Sequence, residues 1–272
     1  MPGRAAAAIT VGLAAVLPLA GACVSNYGDP AGPFHETRHG DGRDLEAGLR
    51  VVTFNVERGR RVDQAIAALR THPDLRTADV IALQEMSGQG VAAVARALRM
   101  NSAYFPASRE PRGGPDWGNA ILSPWPLEDA RKLRLPHRSR LSRRARTATR
   151  ARVLRPAGPV RVYSTHLGSV WGISEARRRD QAQAILADAA GATEPLVILG
   201  DFNSHELGRL FEGEGFCWPT RDVGPTVDRY SVDHVFARGV CGPPGSAAGV
   251  ARDVTDASDH RPVWAVLGGP AP

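Results

Sequence analysis

The chain has a single lysine, Lys132, among 34 basic residues, so arginine carries nearly all of its positive charge. Its three cysteines lie far apart, at positions 23, 217 and 241, which leaves no spacing for a structural zinc site. Aromatic residues make up 6% of the 272 positions. A core must therefore be built mainly from Ala, Val, Leu and Ile. Neither a G-x-G-x-x-G nor a G-x-x-x-x-G-K-[ST] loop occurs, so a dinucleotide fold and a P-loop are unsupported. No repeat recurs at solenoid period. The apolar fraction of 43% and charged fraction of 23% exclude a disordered chain and suit one sizeable domain.

One long uncharged run is present, AAAAITVGLAAVLPLAGA at 5–22. It follows Arg4, ends in the small-residue site Ala20-Gly21-Ala22 and is followed by Cys23. This pattern is that of an export signal over residues 1–22. Its Ala and Gly content and Pro18 weigh against a retained membrane span. Cys23 also resembles the lipidated cysteine of bacterial lipoproteins, although Leu19 stands one place early. A secreted protein and one anchored to the cell surface through Cys23 are both open. In an exported chain, Cys217 and Cys241 suggest one disulfide. Residues 23–47 are rich in Gly, Pro, Asp and His without period and read as a linker to a domain at 48–270.

The net charge of +6 is uneven. Residues 131–155 hold eleven basic residues and no acid, and the rest of the chain is acidic on balance. Such a block suits a polyanion, nucleic acid or an anionic lipid surface. A solvated arginine-rich loop fits it equally well.

Apolar patterning alternates between strands and helices. Strands are expected at Leu49–Asn55, Asp79–Leu83, Asn119–Ser123, Ala148–Leu154, Val160–His166, Leu196–Leu199, Val232–Phe236 and Pro262–Leu267. Helix faces are expected at Val62/Ile66/Leu69, Val91/Val94/Leu98 and Ala182/Ile185/Leu186/Ala189. Arg155-Pro156-Ala157-Gly158-Pro159 reads as a hairpin connection, which implies antiparallel pairing within a mixed α/β domain.

Polar residues recur where these apolar runs stop. VVTFNVE carries Asn55 and Glu57, DVIALQE carries Glu85, and VYSTHLG carries His166. VILGDFNSH carries Asp201 and Asn203, YSVDHVF carries Asp233 and His234, and DASDHRPV carries Asp259 and His260. Each alone is an ordinary turn residue. Together they are acids, amides and imidazoles at strand boundaries, where sheets bring distant residues into one site. Carboxylates and amides without cysteine suit Mg2+, Mn2+ or Ca2+. Histidines add proton transfer, and the combination suits attack of water on a phosphoester. Asp233 and His234 are neighbours on a strand and point to opposite faces, so only one can serve the site, and Asp233 is the choice.

The chain resembles the endonuclease/exonuclease/phosphatase superfamily of DNase I-like, metal-dependent phosphohydrolases. The resemblance rests on TFNVE, LQE, GNAILS, STHLG, GDFNS, VDHVF and SDHRPV, in that order across residues 49–267. GDFN and SDHRPV are its most specific parts. It implies a four-layer α/β (α+β) sandwich, two mixed sheets face to face with helices outside. It implies that Glu85 is the principal metal ligand, helped by Asn55 and Asp259, with Glu57 as a second carboxylate and Mg2+ as the cofactor, Mn2+ or Ca2+ as alternatives. It places Asp201 and Asn203 at the attacking water, and His260 with its partner Asp233, and His166, among the catalytic groups. Arg146 and Asn119 fall where they would bind substrate. The expected activity is phosphoester hydrolysis by a monomer, with nucleic acid favoured as substrate. A phospholipid or sphingomyelin phosphodiesterase is the alternative within the fold, and a non-catalytic polyanion-binding surface lipoprotein the alternative outside it.

Overall fold

The computed structural model describes residues 24–44, 48–111, 114–242 and 247–268. The expected export segment and Cys23 lie outside them. The strands are β1 Ser25–Asn26, β2 His35–Thr37, β3 Leu49–Asn55, β4 Val80–Met86, β5 Asn101–Arg109, β6 Asp116–Ser123, β7 Leu127–Arg134, β8 Thr147–Val153, β9 Val160–His166, β10 Leu196–Asp201, β11 Asp233–Arg238, β12 Ala248–Val250 and β13 Val263–Leu267. The α-helices are α1 Val62–Thr71, α2 Gly88–Leu98, α3 Glu175–Ala189 and α4 Gly208–Gly213.

The strands form two mixed sheets. One has eight strands in the order β1-β5-β6-β4-β3-β13-β12, with β2 also on β5. The other has five in the order β11-β10-β9-β8-β7. Three apolar clusters show how they stack. Val51, Ala82 and Ile121 of the larger sheet meet Val162, Val197 and Leu199 of the smaller. The opposite face of the larger sheet, with Val52, Phe54 and Leu83, packs on Leu69 of α1 and Val91 and Val94 of α2. The opposite face of the smaller sheet, with Tyr163, Ile198 and Phe236, packs on Ile185 of α3 and Phe211 of α4. The result is the expected four-layer sandwich. The central strands are covered on both faces, which is why VIAL and LVIL are continuous apolar runs rather than alternating ones.

Two segments differ from the sequence reading. The stretch expected as linker contributes β1 and β2, which pair antiparallel with β5. The basic block includes the end of β7, which was not expected, and all of β8; the two strands pair antiparallel with a loop between them. Arg150 bridges to Asp188 at 2.8 Å and Asp129 at 3.2 Å, Arg131 to Asp129 at 2.9 Å, and Arg152 to Glu194 at 3.3 Å. Arg131, Arg150 and Arg152 are thus paired with acids, and Arg144 joins them through Glu110 at 2.8 Å. Cys217 and Cys241 are joined in a disulfide.

Parallel pairs fix where the site falls. β3 pairs parallel with β4, and β9 with β10. Their carboxyl ends reach one edge of the sandwich, and the antiparallel strands β6, β8, β11 and β13 begin there.

Candidate active site

Asp201 ends β10 and is the centre of the site. In register it stands opposite His166 at the end of β9 and Asp233 at the start of β11. Cross-strand partners share a face, so the three side chains continue the inner apolar rows of Val197/Leu199, Val162 and Val235. Gly200 makes the close approach possible, since a Cβ there would lie 1.9 Å from the Thr165 carbonyl oxygen.

Asp201 is buried and richly bonded. Its Oδ2 accepts from Asn55 Nδ2 at 3.1 Å and lies 3.2 Å from His166 Nε2 and 3.9 Å from His260 Nε2. Its Oδ1 accepts from the Asn203 backbone N–H at 2.9 Å. Asn203 sits at φ 51°, and its Nδ2 donates to the Leu167 carbonyl at 3.2 Å. The larger sheet and the smaller one are thus tied through Asn55 at the Asp201 carboxylate.

His260 arrives from the loop before β13. Ser258 holds that loop, donating its hydroxyl to the Asn55 carbonyl at 2.7 Å and accepting from His260 N–H at 3.1 Å. His260 Nδ1 is 2.8 Å from Asp233 Oδ2, which also accepts from the Thr226 hydroxyl at 2.6 Å. Burial acts to lower the His260 pKa, but Asp233, Asp201 and Asp259 outweigh it and raise it to about 10. His260 is therefore an imidazolium at neutral pH. Burial and then Asp233 push the Asp201 carboxyl up to about 7.

His166 is the opposite case. Arg146 Nη1 lies 3.1 Å from its Nδ1. A guanidinium only donates, so Nδ1 accepts and the neutral ring carries its proton on Nε2, facing Asp201. Burial, followed by the charges of Arg146 and His260, holds its pKa well below the ordinary histidine value.

Glu85 reaches the site by another route. The β4–β6 register shifts between Leu83 and Met86, and Glu85 adopts φ 57° in that bulge. In regular alternation Glu85 would follow Ile81 and Leu83 to the helix-covered face; the bulge re-aims it. Glu85 Oε2 accepts from the Arg58 backbone N–H at 3.1 Å. Glu57 and Arg58 also have positive φ, 37° and 62°, so strained non-glycine residues gather here as they do at functional sites.

Asn55, Glu57, Glu85, Asp259 and His260 line one open cleft of about 230 Å³, together with Arg58 and Arg60. Its oxygen donors fit a hard divalent cation. Both Glu57 oxygens are already bonded, one to Arg60 at 2.6 Å and the other to Arg61 at 2.8 Å. A second donor group is buried: Asp201, Asp233 and His260 place ligand atoms within 4.8 Å of one another. Its imidazolium proton already balances the carboxylates, so the open cleft of Glu85, Asn55 and Asp259 suits a cation better.

The remaining expected residues are placed as follows. Asn119 is buried and spends its amide on the Thr147 carbonyl at 2.6 Å, joining β6 to β8. Arg146 lies with Asn119, Glu85 and His166 around a narrow pocket behind the cleft. Asp116 accepts from the Tyr27 hydroxyl at 2.6 Å, away from His166. His234 lies on the other face of β11 against Trp218 and Phe202, and burial lowers its pKa to about 4. His205 is exposed and meets the Arg221 carbonyl, outside the site. Thr226, Arg58 and the Arg58–Trp117–Arg144 stack, with guanidinium-to-ring distances of 4.7 and 4.2 Å, were not read from the sequence. None carries a local signal; each depends on loops that meet only in the fold.

A four-layer sandwich of two mixed sheets with helices outside is the DNase I-like α/β architecture. The model of the Endonuclease/Exonuclease/phosphatase family matches residues 52–260, and the chain belongs to that family, whose members are hydrolases of phosphoester bonds. Among solved structures, it is similar to an endonuclease/exonuclease/phosphatase from Beutenbergia cavernae DSM 12333, with TM-score 0.66 and 21% identity over 82% of this chain and 72% of that one. D. rerio TDP2 complexed with single strand DNA product gives TM-score 0.62 and 16% identity over 82% of this chain and 99% of that one. The human Nocturnin catalytic domain with bound sulfate anion gives TM-score 0.59 and 18% identity over 86% of this chain and 96% of that one. At these identities the likeness is one of fold. No curated protein matches.

Proposed function

We propose that the chain is an exported, divalent-metal-dependent phosphodiesterase. The observation that carries this is one buried carboxylate, Asp201, held between a neutral His166 and an imidazolium His260, next to a cleft lined with oxygen donors. Mg2+, or Mn2+ or Ca2+ in its place, held by Glu85 with Asn55 and Asp259, supplies neutralisation of phosphate charge when bound. Asp201 as carboxylate takes the proton of the attacking water. Asn203 and Asn55 keep its oxygens aimed. His166 donates to Asp201 and holds it in place. His260, kept charged by Asp233, donates from Nε2 to a phosphate oxygen or the leaving group. Arg58 and Arg60 offer cations to the rest of the substrate.

Export is supported by the segment ahead of Cys23 and by the Cys217–Cys241 bond, since disulfides persist in oxidising compartments. A nucleic-acid phosphodiester is the first substrate class, supported by exposed arginines beside the site and by the fold shared with TDP2. A phospholipid diester is the second, favoured by the exposed Leu141, Val170 and Trp171. A binding protein without turnover has no need for the whole Asp201–Asp233–His260 arrangement.

The test is turnover of bis(p-nitrophenyl) phosphate with Mg2+, followed by plasmid DNA, RNA and phospholipid. Asp201→Ala and His260→Ala are each expected to lose about 10³-fold or more in kcat, as removal of general acid–base and electrostatic groups does. EDTA is expected to abolish turnover. Wild-type turnover in either variant overturns the assignment.

A further inference from the structure

Two loops flank the site, 136–146 between β7 and β8 and 167–174 between β9 and α3. They touch: Arg140 N–H donates to the Gly172 carbonyl at 3.0 Å. A Cβ at Gly172 would lie 2.9 Å from Ser139 Oγ, so the approach is close. Beside this junction Leu141 is 77% exposed, Val170 55% and Trp171 84%. A single exposed apolar side chain is ordinary, but three on two joined loops are not. Leu135, Leu167 and Ile173 are buried, so the loops are pinned at their bases while their tips stand in water.

The charge around the tips has one sign. Neither loop contains Asp or Glu. Arg138, Arg140 and Arg143 are exposed, and among the described residues their side chains have no hydrogen-bond or ion-pair partner. They are among the members of the basic block that pair with no acid among the described residues. The nearby acids of α3 are engaged, Glu175 with Arg178 and Asp180 with His137.

We infer that these two loops form a docking surface for an anionic phospholipid bilayer. Apolar tips ringed by arginine match the interface, where Trp sits at headgroup level and cations meet anionic lipids. A nucleic-acid strand would use the Trp171 ring and the arginines. Leu141 and Val170 have no π face for a base, and their exposure is explained by hydrocarbon. Trp171 is five positions beyond His166, so the chain holds the docking tip within about 18 Å of the site. The inference rests on the loops alone and holds whether or not phosphodiesters are hydrolysed.

The test is co-sedimentation with vesicles of phosphatidylcholine alone and of phosphatidylcholine with phosphatidylglycerol, in EDTA. It is done in a Cys23→Ser background so that no lipid on that residue supplies the contact. Binding is expected to the phosphatidylglycerol vesicles, with quenching of Trp171 by brominated lipid. Trp171→Ser and Leu141→Ser are each expected to weaken it by about tenfold or more, in proportion to the apolar surface lost. Arg138→Gln/Arg140→Gln/Arg143→Gln is expected to erase the preference for the anionic lipid. Circular dichroism and turnover of soluble bis(p-nitrophenyl) phosphate are expected to stay at wild-type values in all three. Unchanged vesicle binding by Trp171→Ser overturns the inference. So does absent vesicle binding together with Trp171-dependent binding of single-stranded DNA. If turnover is absent in every form while vesicle binding behaves as stated, the functional reading fails and the docking surface stands.

Discussion

His166, Asp201 and Asp233 stand opposite one another on three adjacent strands in unbroken register, whereas Glu85 reaches the same site through a bulge and a positive φ. The smaller sheet builds its share from regular backbone and buries it. The larger sheet adds Asn55 from regular β3, but it presents Glu85, and Glu57 just beyond β3, from strained backbone on an open cleft. The difference suits the tasks proposed for the two groups. Proton-handling groups must sit at fixed spacing in low dielectric, and strand register supplies that spacing. A cation and its phosphate need access, and a re-aimed carboxylate at a sheet edge supplies that.

The register of the smaller sheet has its narrowest point at Gly200. Gly200→Ala forces a methyl group into the Thr165 carbonyl and is expected to cost about 3 kcal/mol in chemical denaturation. Gly191→Ala, whose added methyl group would meet nothing within 4 Å, is expected to change stability by less than about 1 kcal/mol. Equal effects at the two positions would break the picture of a register held by close backbone approach.

Asp233→Asn separates charge from shape in the same sheet. His260 keeps a hydrogen-bond partner but loses the charge that, with Asp201 and Asp259, lifts its pKa to about 10. The pKa then falls toward the ordinary value of about 6.5. Hydrolysis that needs the imidazolium is lost as pH rises through that pKa. The alkaline limb of the kcat profile is therefore expected to move from near pH 10 toward neutrality, and the acid limb, set by the Asp201 carboxyl that Asp233 helps hold near 7, to move to lower pH. An unmoved alkaline limb would mean that His260 is not the titrating acid.

The larger sheet is probed by Glu85→Asn. Asn tolerates the left-handed conformation that Glu85 is forced to adopt. The variant is expected to match or exceed wild-type stability by up to about 1 kcal/mol while losing turnover. Asp201→Asn, on a regular strand, relieves no such strain. A clear loss of stability in Glu85→Asn would show that the bulge is not where strain is held.

These two routes also explain what was legible in the sequence. Asn55, His166, Asp201, Asp233 and His260 end or precede apolar runs, so periodicity marks them and topology then brings them together. The helix faces of α1, α2 and α3 and the hairpin at Pro156 were readable for the same reason. β5 was not, because NSAYFPASR mixes small polar residues with Pro106. β7 was not, because LEDARKLR is an edge strand whose charges are matched only by partners such as Asp188 and Glu194. β1 and β2 are too short to show a period. The bulge at Glu85 and the Thr226–Asp233 bond depend on contacts across the fold, and no local pattern encodes them. The loops that expose Leu141 and Trp171 lie 30 residues apart in sequence and form one surface only when folded.

The division of labour between the sheets is tested most directly by titrating Mg2+ against turnover of bis(p-nitrophenyl) phosphate in Glu85→Gln and Asp201→Asn. Glu85→Gln is expected to raise the Mg2+ concentration needed for half-maximal turnover by about 10- to 100-fold, the range seen when a metal's protein environment is weakened. Asp201→Asn is expected to leave that concentration within about threefold of wild type and to lower kcat at saturating Mg2+ by about 10³-fold or more. An Asp201→Asn enzyme restored to wild-type kcat by added Mg2+ would contradict the account.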